Sequence, residues 1–181
     1  AVISIGATEY ALGGSATSTE AKEEVAEEET EEATTEEKEV AGKDTEGTPL
    51  ANHGALSVKG TDIVDKNGKI FQLKGVSTHG INWFPAYVNK EAFADLAGYG
   101  VNAIRLAMYT ADYNGYCEGG NQSDLKTIID TGVKACNELG MYAIVDWHIL
   151  NDLTPNKYKT QAIAFFKEMA SKYAKYNNVI F

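Results

Sequence analysis

Val101-Asn102-Ala103-Ile104-Arg105-Leu106-Ala107-Met108-Tyr109 decides how this chain is read. Its residues alternate with the period of a strand, which sets Ala103, Arg105, Ala107 and Tyr109 on one side. Downstream, Met141–Trp147 reads as a second apolar strand, with Ile144, Asp146 and His148 sharing a side. Between the two, the period changes to that of a helix. Ser123 is expected to cap it, and Leu125, Ile128, Ile129, Gly132, Val133 and Cys136 form its buried stripe, ending at Gly140.

The same alternation extends in both directions. Upstream, Asn89 is placed to cap a helix carrying Ala92, Phe93, Leu96 and Ala97 on one face, stopped near Gly98 and Gly100. Before it, a strand finishes at His79. Downstream, a helix over roughly Tyr158–Tyr176 turns Ala162, Phe166, Met169, Ala170 and Tyr173 inward, and Val179-Ile180-Phe181 opens a further strand. Order begins near Pro49, with short strands expected at Leu56–Val58, Ile63–Val64 and Ile70–Leu73. Asn67-Gly68 supplies a hairpin turn between the last two.

Strands alternating with helices over short links imply an α/β fold with a parallel sheet. An open doubly wound sheet and a (β/α)8 TIM barrel both satisfy the pattern. Ser77-Thr78-His79-Gly80 follows the first strand where a nucleotide-binding sheet carries a glycine-rich phosphate turn, which favours the barrel. A barrel needs about 250 residues, and Thr48–Phe181 supplies 134. The reading is therefore a partial barrel of three βα units plus the start of strand four, truncated after Phe181.

Charge separates this part from what precedes it. The 181 residues carry a formal net charge of −10, yet residues 1–46 alone hold 14 acids and 3 bases. The remaining residues hold 12 acids and 13 bases, without the basic face of a nucleic-acid binder. From Glu20 to Glu46 there is no aromatic residue, so too little apolar surface exists to offset the entropy of ordering. Residues 1–47 are read as a disordered acidic Glu/Thr-rich linker and residues 48–181 as the folded domain. Ala1–Gly6 is read either as a disordered start or as the remnant of a secretory signal. No apolar run reaches the ~18–20 residues of a membrane-spanning helix.

In both architectures ligands bind beyond the carboxyl ends of the strands. His79, Arg105, Tyr109 and His148 fall at those ends. Arg105 is the only arginine of the chain, and a guanidinium in mid-strand is costly to bury unless anions meet it. Ala103 and Ala107 leave room for it. Trp83, in the first strand-to-helix loop, is either a platform for a sugar face or a packing residue over the mouth. His79, Asp146 and His148 lack the spacings of a zinc site, so no metal is expected. Cys117 and Cys136 are expected to remain free thiols, because one lies in a loop and the other on a buried stripe.

Three stretches together resemble glycoside hydrolase family 5, the former cellulase family A. They are Leu73–Phe84 (LKGVSTHGINWF), Asn102–Tyr109 (NAIRLAMY) and Val145–Leu150 (VDWHIL), and the likeness covers about Gly54 to Phe181. The resemblance implies a (β/α)8 barrel that hydrolyses β-1,4-glucans with retention of configuration and without a cofactor, as a secreted endoglucanase. It implies that Arg105 hydrogen-bonds the nucleophilic carboxylate and that His79 and His148 line the subsite beside the scissile bond. Tyr109 would approach the nucleophile, and Trp83 would stack on a more distant glucose. It also implies an acid/base Glu in an Asn-Glu-Pro motif ending strand four and a nucleophilic Glu ending strand seven; Phe181 stops short of both. Asp146 is expected to orient its neighbours, whereas Asp112, Glu118 and Asp152 are expected to be solvated loop residues. The expectation is a substrate-binding half, inactive alone, with its linker joining another module. A mannanase or xyloglucanase of the same family and a non-catalytic carbohydrate-binding fragment are the alternatives.

Overall fold

The computed structural model describes residues 46–181. All but the last two residues of the expected linker, and the expected signal remnant, lie outside the described residues. The first element is a short helix, α1 (Pro49–His53), whose start is capped by Thr48 Oγ1 accepting from Ala51 N. A hairpin of β1 (Ser57–Lys59) and β2 (Asp62–Val64) follows. Its turn contains Gly60 with φ +64°, a left-handed conformation that favours glycine. Asn67-Gly68 does turn the chain, but no full strand follows it. Asp65 Oδ1 accepts from the N–H groups of Asn67 and Lys69, and only Ile70 bridges back to Val64. The expected strand over Ile70–Leu73 leaves the hairpin, because Phe71 and Leu73 are drawn into a core of their own.

Four parallel strands form the main sheet in the order β3 (Gly75–Ser77), β4 (Ala103–Tyr109), β5 (Tyr142–His148) and β6 (Val179–Ile180). Three helices connect them: α2 (Lys90–Gly98), α3 (Gln122–Glu138) and α4 (Lys159–Lys172). Asn89 caps α2, its Oδ1 accepting from Ala92 N at 2.8 Å. The cap of α3 is Asn121 and not Ser123: Asn121 Oδ1 accepts from the N–H groups of Ser123 and Asp124, so the helix begins earlier. In α4 the buried residues are Phe165 and Met169, followed by Tyr173 at the helix end. Met169 and Tyr173 are inward as expected, whereas Phe165 takes the fully buried place expected of Phe166, which is half-buried against Trp147.

All three helices lie on one face of the sheet. Ile104, Leu106, Met108, Ala143 and Val145 point toward them and share a core with Phe93, Ile129, Val133, Cys136, Phe165 and Met169. Gly132 lets α3 approach β4, since a Cβ there would stand 2.6 Å from Leu106 Cδ2. The opposite face is closed at the amino ends of the strands. There Ala103 and Tyr142 pack with Leu56 and Phe71, joined by Leu50, Leu73 and Ile180. Tyr142 donates its hydroxyl to Gly54 O at 2.6 Å, tying this floor to the amino-terminal segment. Strand order never reverses and helices cover only one face, which is the arc of a barrel and not a doubly wound sheet. The inner face at the carboxyl ends is thereby left to polar side chains.

Candidate active site at the carboxyl ends of the strands

The parallel register pairs Arg105 with Ile144, Ala107 with Asp146, and Tyr109 with His148. Every second residue of each strand therefore lines the inner face at matching heights. Arg105 Nη2 lies 2.7 Å from Asp146 Oδ2 and 2.5 Å from His148 Nδ1. Its Nη1 reaches Ser77 Oγ at 3.4 Å. The carboxylate supplies the anion that a mid-strand guanidinium requires, and buried Ala107 leaves the space.

Hydrogen-bond direction fixes what the imidazoles present. A guanidinium only donates, so both hydrogens of Arg105 Nη2 are used, one on Asp146 and one on His148 Nδ1. His148 is then the Nε2–H tautomer, and its 3.0 Å approach to Asp146 Oδ2 is between two acceptors sharing one cation. In His79, Nδ1 accepts from Gly80 N at 2.8 Å, which again puts the ring proton on Nε2.

Aromatic rings continue from this charged cluster. The Tyr109 ring centroid is 4.3 Å from that of His148 and 4.7 Å from that of Trp83. His79 lies 5.4 Å from Trp83 and stacks near-parallel to Tyr109 at 6.1 Å. Gly80 makes this crowding feasible: a Cβ there would stand 2.6 Å from Asn82 Oδ1 and 2.9 Å from both Trp83 and Tyr109. The indole edge is pinned, with Trp83 Nε1 donating to Tyr113 O at 2.7 Å and Asn82 Nδ2 donating to the same carbonyl at 3.0 Å. All five residues singled out from sequence, His79, Trp83, Arg105, Tyr109 and His148, are thus joined by these contacts.

Two of the three loop carboxylates depart from expectation. Asp112 and Asp152 are each only 5% exposed and are not solvated. Asp152 Oδ2 accepts from Thr110 Oγ1 at 2.6 Å and its Oδ1 accepts from Leu150 N at 2.9 Å, so it braces the loop after β5 against the end of β4. Asp112 Oδ1 contacts Asn151 Nδ2. Glu118 is exposed and accepts from the Tyr158 hydroxyl at 2.5 Å. Sequence reading also passed over Ser77, Asn82, Tyr113 and Thr78, whose Oγ1 accepts from Ala107 N and prolongs the β3–β4 pairing. Residues remote in sequence make these bonds, and no local spacing signals them.

Among the described residues no cluster of three or more metal-ligating side chains is found. Cys117 and Cys136 are free. Burial pushes the Cys136 thiol up to about 12. Burial also pushes Cys117 up to about 11, aided by the carboxylates of Asp152 and Glu118. A row of flat rings, two imidazole N–H donors and one cation suit a ligand with apolar faces and hydroxylated edges.

Comparison with known proteins converges on one family. The family model described as cellulase (glycosyl hydrolase family 5) matches residues 64–181. Endoglucanase A of Butyrivibrio fibrisolvens is 53% identical over 135 residues, covering 73% of this chain and 32% of that protein. Endoglucanase N of Pectobacterium atrosepticum is 46% identical over 135 residues, covering 74% of this chain and 30% of its own length. Among solved structures, the catalytic domain of an endoglucanase from Thermobifida fusca superposes with a TM-score of 0.69 at 35% identity. It covers 74% of this chain and 43% of that one, and a second structure of that domain holds cellotetraose. The chain spans about a third of the length of the curated relatives it matches.

Proposed function

The chain belongs to glycosyl hydrolase family 5, and on that premise we propose that its folded part grips β-1,4-glucan for a retaining endoglucanase. The observation that carries this reading is the continuous series Asp146–Arg105–His148–Tyr109–Trp83 on the inner face at the strand ends. Trp83 and Tyr109 offer ring faces to the apolar faces of glucose units. His79 and His148 donate Nε2–H to hydroxyls beside the bond to be cut.

In a retaining mechanism one carboxylate attacks while a second carboxyl, ~5–5.5 Å away, protonates the leaving oxygen and later activates water. The carboxylates at this face are engaged: half-buried Asp146 by Arg105, buried Asp152 by Thr110 and the Leu150 amide, and buried Asp112 by Asn151. The attacking group and the acid are therefore assigned to chain outside residues 1–181, so that these residues bind without cleaving. Arg105 Nη1, held by a long contact to Ser77, keeps donor capacity for an incoming nucleophilic carboxylate. A permanent cation there would keep that carboxylate ionised for attack.

A secreted enzyme whose amino-terminal residues tether a further module completes the proposal. Reducing-sugar release from a soluble cellulose derivative tests it, comparing the 181-residue chain with the full reading frame of its source. Activity of the longer product alone supports the reading. Absence of activity in a folded longer product removes it. Faster release from mannan or xyloglucan than from glucan would move the assignment within the family. Saturable oligosaccharide binding without activity in any product would favour a binding protein.

A further inference from the structure

Tyr113 is 79% exposed, yet the backbone around it is closely hydrogen-bonded. Asn114 beside it is left-handed at φ 56°. Gly115 N donates to Asp112 O at 2.7 Å, while Tyr116 N and Cys117 N each donate at 2.9 Å to the carbonyls of Tyr109 and Thr110. A Cβ on Gly115 would stand 2.7 Å from both Asp112 O and Thr110 O, so the turn admits no bulk there. The Tyr113 carbonyl accepts from Trp83 and Asn82 together. A single exposed aromatic needs no explanation on a protein surface. The backbone of this one is tied by its carbonyl to the indole N–H of Trp83, in a series of contacts that runs from Arg105 through His148, Tyr109 and Trp83.

We propose that Tyr113 is an outlying stacking platform for a β-1,4-linked glucosyl unit beyond the one held by Trp83, through which the site favours longer oligosaccharides. The inference rests on the glucan-binding reading above. A phenol ring covers an apolar sugar face and leaves its hydroxyl free for an edge hydrogen bond. Two rings carried on a tied backbone favour ligands long enough to cover both, because the loop itself needs no ordering when the ligand arrives. The residue acts on affinity and chain-length preference, with no part in bond cleavage.

The test is titration of the 181-residue chain with cellobiose through cellohexaose, by calorimetry and by indole fluorescence. Tyr113→Ala and Tyr113→Gln both retain the carbonyl that holds Trp83. Each is expected to weaken binding of the longest oligosaccharides roughly three- to tenfold while leaving cellobiose unchanged. Tyr113→Phe should keep most of the long-chain affinity, and Trp83→Ala should lose affinity at every length. Equal losses on cellobiose and cellohexaose, or no loss at any length, overturn the platform and leave the glucan-binding reading standing. Failure of the unaltered chain to bind any cello-oligosaccharide overturns both.

Discussion

Arg105 and Asp146 meet at 2.7 Å although they do not share a rung of the sheet: Arg105 lies opposite Ile144, and Asp146 opposite Ala107. The guanidinium crosses diagonally over the small Ala107 to reach its carboxylate, then reaches His148 with the same nitrogen. Replacing Asp146 with Asn keeps the shape and removes the charge. Exposed ion pairs are worth about 0–1 kcal/mol, and breaking buried ones costs about 3–5. This pair is intermediate, with the Arg105 side chain 37% and Asp146 19% exposed. Asp146→Asn is therefore expected to cost about 1–3 kcal/mol in urea unfolding. A loss below a few tenths would show that the cation is balanced elsewhere.

The cluster was legible in sequence because its members sit two apart on single strands, where alternation alone assigns a face. The strand–helix order was legible for the same reason, and Asn89 marked its helix because no rival cap stands nearby. Adjacent equivalents defeated the reading elsewhere. Asn121 and Ser123 can both cap a helix, and only the backbone path chose between them. Phe165 and Phe166 are chemically identical, so the phase of α4 depends on the sheet it meets. Leu56, Phe71 and Leu73 look like strand residues and instead fill the floor beneath Ala103 and Tyr142. Thr110 and Asp152 are 42 positions apart, a separation that carries no local signal.

Gly80 sets how closely the rings can gather. Gly80→Ala places a methyl 2.6 Å from Asn82 Oδ1 and 2.9 Å from Trp83 and Tyr109, so at least one ring must move. Overpacking of this kind costs about 1–3 kcal/mol. The expected outcome is a modest fall in melting temperature together with a shifted indole emission and weaker oligosaccharide binding. Wild-type emission and affinity in the variant would show that the ring geometry is not set here.

Asp65 predicts the acid limb of stability. His53 Nδ1, 2.9 Å from Asp65 Oδ2, holds this carboxyl below its ordinary range; burial opposes, and the Lys69 and Asn67 amides assist. A depressed folded-state value stabilises the fold at pH above the unfolded value of about 3.9 and loses that contribution as pH falls through the folded value. The stability difference between the unaltered chain and Asp65→Asn should thus shrink as pH falls below about 4. Urea unfolding across pH 3–7 measures it. A difference that stays flat to pH 3 would mean that Asp65 gains nothing from His53.

Thr110 has one hydroxyl hydrogen, and the 2.6 Å contact to Asp152 takes it in preference to the 3.3 Å contact to His148 O. Thr110→Val preserves volume and strands a buried carboxylate oxygen, an expected cost of about 1–3 kcal/mol. Asp152→Asn retains an acceptor for that hydroxyl and should cost less. Reversal of this order in equilibrium unfolding would place the brace on the Leu150 amide.

Both thiols should be silent in the folded chain. A value of about 11 for Cys117 leaves about 0.1% thiolate at pH 8, and about 12 for Cys136 leaves less still. Only the thiolate attacks a disulfide reagent, so colour from an aromatic disulfide should develop at least a hundredfold more slowly than in urea. Two equivalents should appear in urea, where burial no longer opposes ionisation. Because the thiolate fraction grows tenfold per pH unit below the thiol's own value, the native rate at Cys117 should climb in step between pH 7 and 10. A rapid equivalent at pH 7 would mean that the loop carrying Cys117 opens and relieves the burial holding its proton.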